Sequence, residues 1–119
     1  MKVVLWFLMM LMPLLASASS VNEEQLFHRL DSYIAQRSKF TQRKEAKLLR
    51  LKKQLYMTSD KRSQLSLYNQ IYREYYTYRY DSAMTYAKKG YQLAAQLQDD
   101  YFINLNKINR AAVLSTGGF

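Results

Sequence analysis

Two pairs of polar residues have the types and the spacing that could hold a peptide. Asn69 stands four residues before Arg73. Asn106 stands likewise before Arg110, so each pair shares one face of a helix. An Asn amide can bond a peptide backbone, and an Arg guanidinium can bind a carboxylate through two parallel hydrogen bonds. We therefore predict a ligand groove formed by both pairs, with Tyr76 as an aromatic wall; the alternative is ordinary solvated surface.

Residues suited to catalysis or metal binding are lacking. The chain has no Cys, and His28 is its single His, so thiolate sites and paired-His sites are excluded. The nine acidic residues are scattered, and none forms a pair suited to acid–base work. The sequence therefore predicts no enzymatic activity, no metal and no cofactor.

The composition favours helices joined by short connections. The 119 residues include 3 Gly and 1 Pro, which is few for a chain rich in turns. Eleven tyrosines supply aromatic surface for packing between helices. We expect an all-α protein with one small globular unit.

The first 18 residues have the features of a signal peptide. Lys2 precedes an apolar run of 13 residues from Val3 to Leu15, which is shorter than the roughly 20 residues of a membrane-spanning helix. The small residues 16–18, Ala-Ser-Ala, match a cleavage site. We expect cleavage after Ala18 and export across the inner membrane to the periplasm; the alternative is an uncleaved anchor helix.

A basic helix is predicted over residues 19–58. Asn22 and Gln25 fit the two ends of a capping box. An apolar stripe follows at near-helical spacing, interrupted by Arg37 and Lys44, which indicates coiled-coil-like or antiparallel packing and allows self-association. The stripe comprises Leu26, Leu30, Tyr33, Phe40, Leu48, Leu51 and Leu55.

Positive charge is concentrated in this helix and in the residues that directly follow it. Ten basic residues lie between Arg37 and Arg62, opposed by Glu45 and Asp60, in a chain of net charge +9. The pattern is compatible with an acidic protein or an anionic membrane surface as partner, but a run of charge on a helix is more commonly a solvated face. Nucleic acid is disfavoured, because the leader implies export and aromatic residues for base stacking are scarce here.

Residues 59–119 read as antiparallel helices. We expect helices over Ser63–Tyr76, Tyr80–Leu97 and Tyr101–Ser115, with Ser59 or Asp60 capping the first. Asp99 and Asp100 open the last helix, and Asp81 is the expected N-cap of the middle one. The middle helix carries a stripe of small residues that predicts close packing against its neighbours: Ala83, Ala87, Gly90 and Ala94.

The two outer helices form an internal repeat. Residues 68–73 and 105–110 both read apolar-Asn-x-Ile-x-Arg, at an offset of 37 residues. A period of this size built from a helix pair indicates a helical solenoid.

These motifs resemble the tetratricopeptide repeat (TPR). Residues 80–90, YDSAMTYAKKG, are similar to its second helix, although Gly90 stands where Ala is usual. The resemblance implies one full helix pair plus the first helix of the next, in an incomplete α-solenoid that binds a protein or peptide.

The chain as a whole resembles the amino-terminal part of a Bacteroidota group of exported TPR proteins. Residues 34–45, IAQRSKFTQRKE, carry that likeness together with residues 80–83. In that group a membrane span and a carboxy-terminal domain follow the repeats. The resemblance implies the periplasmic sensor portion of a membrane-associated regulator, anchored through a segment not present here; the alternative is a stand-alone exported scaffold that docks through its basic helix.

Overall fold

The described part of the chain forms four α-helices. The computed structural model describes the backbone of residues 2–117 and the side chains of residues 22–117. The expected all-α class is confirmed. The chain divides into two compact units, Met1–Thr41 and Gln42–Phe119. The helices are α1 (Lys2–Met57), α2 (Lys61–Tyr76), α3 (Tyr80–Leu97) and α4 (Asp100–Thr116).

The first unit is the amino-terminal part of α1. Every side chain from Asn22 to Phe40 is exposed, including the apolar ones of the predicted stripe. The capping box predicted at Asn22 is wrong, because α1 is already helical there and its backbone N–H needs no cap. The predicted signal peptide, residues 1–18, lies outside the described side chains and stays a prediction.

No helix in the described part of the chain has a segment both long and apolar enough to cross a membrane.

The core of the second unit joins the carboxy-terminal part of α1 to the later helices. Leu48 and Leu51 of α1 are buried among residues of α2, α3 and α4. Full burial of a Leu side chain contributes about 1.5–3 kcal/mol, so this half of the basic helix stabilises the helices that follow. The other core residues are Leu67, Ile71, Tyr72, Tyr75, Ala83, Ala87 and Val113.

The domain limits 1–18, 19–58 and 59–119 stay predictions.

Aspartates begin α2 and α4. The Asp60 carboxylate accepts a hydrogen bond from the Ser63 backbone N–H at 3.1 Å. Asp99 accepts one from the Phe102 N–H, also at 3.1 Å. Each bond satisfies a backbone donor that has no partner within its helix. Of the two caps predicted for α2, Ser59 and Asp60, the structure uses Asp60, and Asp99 is the N-cap where α4 was predicted to open.

The start of α3 differs from the expectation. The N-cap is Arg79, whose side chain makes no capping bond, so the prediction that Asp81 caps this helix is wrong. Asp81 lies inside the first turn, where its carboxylate accepts from the Ser82 N–H at 2.8 Å. A negative charge there still favours the helix through the macrodipole.

A tight turn reverses the chain between α3 and α4. Gln98 adopts the left-handed conformation, with φ 53°. Its N–H bonds the Ala95 carbonyl at 3.2 Å, and the Asp99 N–H bonds the Ala94 carbonyl at 3.0 Å. These two bonds form a Schellman motif, which satisfies the last carbonyls of α3 and brings α4 back along it.

The small-residue stripe allows α3 to pack closely between two neighbours. Ala83, Ala87, Gly90 and Ala94 are all buried, and α3 contacts both α2 and α4. This confirms the predicted arrangement. The closest approach is at Gly90, where an added Cβ would lie 2.6 Å from Asn106 Oδ1. A side chain at this position would therefore force the buried Asn106 amide to move.

The repeat has a different register from the predicted one. Ile71 is fully buried, whereas Ile108, its expected equivalent, is 65% exposed. The buried counterparts of Ile71 and Tyr75 in α4 are Asn109 and Val113, an offset of 38 residues. Burial in α4 therefore does not follow the predicted offset of 37. Since one residue rotates a helix by about 100°, a small change in register is enough to place Ile108 on the exposed side of α4.

Replacing Gly90 by Ala tests the close approach. Overlap of the new methyl group with a buried side chain costs about 1–3 kcal/mol, and the gain in helix propensity offsets about 1 kcal/mol of this. We therefore expect Gly90→Ala to lower the free energy of unfolding by up to about 2 kcal/mol. Urea titration followed by circular dichroism measures the change.

The double variant Gly90→Ala/Asn106→Ala is the informative control. Removing the Asn106 amide makes room for the methyl group, so the glycine substitution should be harmless or stabilising in that background. Gln92→Ala, at an exposed position of α3, should be near neutral. Equal destabilisation by Gly90→Ala with and without the Asn106 side chain would show that overlap with Asn106 is not the cause.

Candidate functional site

A cleft of about 490 Å³ lies between the carboxy-terminal part of α1 and the last turns of α2. We call it the basic cleft. Its volume is in the range of small-ligand sites, and its walls combine charged with aromatic side chains. They include Lys44, Lys47, Arg73, Glu74, Tyr72 and Tyr76.

Glu74 joins the two helices that border the basic cleft. Its carboxylate accepts hydrogen bonds from Lys44 at 2.9 Å and from Lys47 at 2.7 Å. Lys44 also donates to the Thr77 hydroxyl at 2.8 Å, beside the carbonyl end of α2, where a positive charge is favoured. The side chains of Lys44 and Glu74 are only 17% and 16% exposed, so this ion pair is partly shielded from water.

The two lysines change the acidity of Glu74. The hydrogen bond from Lys47, with the bond and charge of Lys44, lowers the pKa of the Glu74 carboxyl below its usual range, against the opposing effect of burial. Glu74 is therefore ionised near neutral pH. The lining contains three cations, Lys44, Lys47 and Arg73, and Glu74 is its one acidic residue. The cleft therefore has an excess of positive charge.

Two of the five predicted site residues, Arg73 and Tyr76, line the basic cleft. Arg73 is exposed, and its guanidinium makes no hydrogen bond or ion pair to any described residue. The Tyr76 hydroxyl lies 3.2 Å from the Thr116 hydroxyl, which fixes its ring. Arg73 is thus available to an incoming group, beside a fixed aromatic wall.

Asn69 has a structural partner instead. Its side-chain oxygen accepts a hydrogen bond from the Asn109 amide at 3.1 Å, and it is absent from the cleft lining. Nearby, the Tyr72 hydroxyl donates to the Asn109 backbone carbonyl at 3.0 Å. These bonds tie α2 to α4, the neighbouring helices of the predicted groove.

The second predicted pair, Asn106 and Arg110, is turned away from the predicted ligand groove. Asn106 is 1% exposed and faces Gly90, and its amide donates to the Phe102 carbonyl at 2.8 Å. Arg110 lies over the Tyr91 ring of α3 at 5.7 Å. Both side chains point toward α3. The expectation that Asn106 and Arg110 extend the groove is therefore not met. The ligand-binding role of the remaining residues stays a prediction.

Sequence reasoning missed Lys44, Lys47 and Glu74. Lys44 could have been recognised, because it interrupts the apolar stripe of the basic helix and a charge that is buried there needs a partner. Its partner Glu74 lies 30 residues later in the chain. No local pattern predicts a pairing at that distance.

A family model for the SusR N-terminal TPR domain matches residues 34–119. The chain belongs to this TPR family. The match begins within α1, so it includes the half of the basic helix that contributes to the core and to the cleft. TPR domains are typically non-catalytic modules for protein–protein interaction. No curated protein and no solved structure matches the chain.

Several tyrosines of this TPR domain serve packing between helices. The rings of Tyr75 and Tyr86 stack with centroids 5.6 Å apart. Lys52 donates to the Tyr75 hydroxyl at 2.6 Å, and this bond raises the pKa of the Lys52 ammonium. A lysine held in its charged form is a poor general base. The contacts among Lys52, Tyr75 and Tyr86 position α1 against α2 and α3.

Within the part of the TPR domain whose side chains are described, no group of His, Cys, Asp or Glu residues is close enough to hold a metal ion.

Replacing Glu74 by Gln tests the ion-pair network through its pH dependence. Since the folded-state pKa is below the unfolded value of about 4.3, the stabilisation is present above that pH and is lost as pH falls through the folded pKa. Glu74→Gln should therefore unfold more easily than the parent protein near pH 7, by about 1 kcal/mol. The difference should vanish at acidic pH.

Urea titrations at several pH values measure this effect. Glu24→Gln, at an exposed position of the first unit, is the matched control and should leave stability unchanged throughout. A constant difference between Glu74→Gln and the parent protein at every pH would contradict the role given to the charge.

Proposed function

We propose that this TPR domain is a non-catalytic module that binds a protein or peptide and forms the periplasmic sensor portion of a membrane-associated regulator. Membership of the SusR N-terminal TPR family supports the interaction role. The leader-like residues 1–18 support export. The likeness to Bacteroidota regulators supports an anchor and an output domain in a longer protein.

The observation that carries the proposal is the basic cleft. Arg73 and Tyr76 were predicted as contact residues from the sequence, and both line it. The cleft also lies on α2, which packs beside α4 as the first helices of successive repeats do in a solenoid. A partner bound along α2 would therefore reach the cleft.

Site-directed photo-crosslinking in cells that export the protein tests the proposal. With p-benzoylphenylalanine in place of Gln70, an exposed residue of the cleft lining, irradiation should yield a discrete crosslinked product, because a bound partner would lie against this position while Arg73 is kept. The protein recovered from the exported fraction should begin at Ser19.

The same photo-reactive residue in place of Lys88, an exposed position of α3, is the matched control and should yield no such product. Recovery of the protein only from the cytoplasm, or identical crosslinking from both positions, would contradict the proposal.

A second candidate is a stand-alone exported scaffold that docks on an anionic surface through its basic helix. One face of α1, opposite the core, combines exposed apolar and basic side chains. Leu49, Tyr56 and Met57 are 57%, 91% and 84% exposed, and Arg50 and Lys53 lie between them on the helix. This combination is typical of helices that bind membrane surfaces.

Vesicle binding tests this candidate. The protein should bind phosphatidylglycerol vesicles more tightly at low salt, and Tyr56→Ser/Met57→Ser should weaken binding about tenfold by removing the inserted apolar groups. Co-sedimentation measures the bound fraction. Tyr101→Ser, at an exposed position of α4, is the matched control, and an equal loss there would contradict docking through α1.

A further inference from the structure

We propose that the basic cleft binds a carboxylate side chain of an extended acidic peptide segment, with Lys47 and Arg73 as the residues that contact it. This inference rests on the proposed interaction function and adds the chemical class of the partner. It depends on which donors of the cleft remain available, on the shape of the site and on its charge.

The donors of the cleft divide into a structural set and an available set. Lys44 is shielded and bonded to both Glu74 and Thr77, so it holds α1 against α2. Lys47 uses one of the three donors of its ammonium on Glu74, and its side chain is 50% exposed. Two donors of Lys47 therefore remain for a ligand.

Arg73 supplies the second available group. Its guanidinium is exposed and has no partner among the described residues. The planar fork of five N–H donors fits a carboxylate with two parallel hydrogen bonds. Lys47 and Arg73 come from different helices, α1 and α2, so a carboxylate held by both would bridge the two walls of the cleft.

Charge determines the sign of the ligand. Glu74 balances one of the three cations of the lining, and its lowered pKa keeps it charged. The local excess of positive charge attracts an anion and repels a cation. A neutral ligand would leave the donors of Arg73 in water and would gain little from them.

Shape favours a peptide over a lipid bilayer. The site is a recess of about 490 Å³, and a flat bilayer surface cannot enter it. Tyr72 and Tyr76 provide aromatic walls for the methylene groups of a Glu side chain. The face of α1 that suits a membrane is a different one, formed by Leu49, Tyr56 and Met57.

Another cleft offers a matched comparison. A recess of about 250 Å³ between α2 and α3 is lined by Lys61 and Lys89 together with glutamines. It has two cations but no Arg, and Lys89 lies over the Tyr86 ring at 4.9 Å. Lys61 is exposed, so its substitution removes the same charge from the protein without altering the basic cleft.

Binding of a fluorescein-labelled hexaglutamate peptide to the full chain, measured by anisotropy at about 0.15 M salt, tests the inference. Arg73→Gln and Lys47→Gln should each weaken binding roughly fivefold to tenfold, whereas Lys61→Gln should leave it unchanged. Glu74→Gln removes the ion pair but leaves Lys47 and Arg73 in place, so it should retain binding; this separates loss of the contact from loss of the ion pair.

Charge reversal strengthens the test. Lys47→Glu/Arg73→Glu should lose the hexaglutamate probe and bind hexalysine instead, and Lys61→Glu should do neither. Equal weakening by Lys61→Gln and Arg73→Gln would overturn the inference, because it would show attraction by net charge alone. Absence of hexaglutamate binding to the parent protein would also overturn it.

The photo-crosslinking experiment distinguishes this inference from the proposed function. If the residue at position 70 crosslinks to a partner but hexaglutamate does not bind, the acidic ligand class is wrong and the interaction role stands. If neither result is obtained, both are wrong.

Discussion

The close approach of α3 to its neighbours is the constraint on which the rest of the second unit depends. Small residues line the buried face of α3, and at Gly90 there is no room for a methyl group beside Asn106. Because α4 can come this near, Val113 and Asn109 are buried and the Tyr72 hydroxyl reaches the Asn109 carbonyl. The position of α2, and with it one wall of the basic cleft, follows from this packing.

The other wall is held by a second set of contacts. Leu48 and Leu51 anchor the end of α1 in the core, and the ion pairs of Glu74 fix the orientation of that helix against α2. One face of α1 thus supports the TPR fold. Its opposite face remains exposed, with apolar and basic residues side by side. Part of the basic charge of this helix therefore helps to hold the fold, through the ion pairs of Lys44 and Lys47 with Glu74, and part of it lies on the exposed face.

Much of the helical framework could be predicted from the sequence, because its signals are local. Aspartates at positions 60 and 99 mark helix starts through their own backbone bonds, and the bounds of α3 were predicted to the residue. The candidate site was predicted only in part. Arg73 and Tyr76 lie on one short stretch of α2, whereas the residues that complete the cleft come from α1 and were missed.

The sequence by itself determined the helical class, the ends of α2 and α4, and the need for close neighbours along α3, since each depends on residues within one or two turns. Only the tertiary structure decided the register of α4, the burial of Asn106 and the union of Lys44 and Lys47 with Glu74. The physical reason is that a one-residue shift rotates a helix by about 100°. A small error in register therefore moves a side chain from the groove to the core. Charge partners that are 30 residues apart, such as Lys44 and Glu74, are brought together only by the packing of the helices.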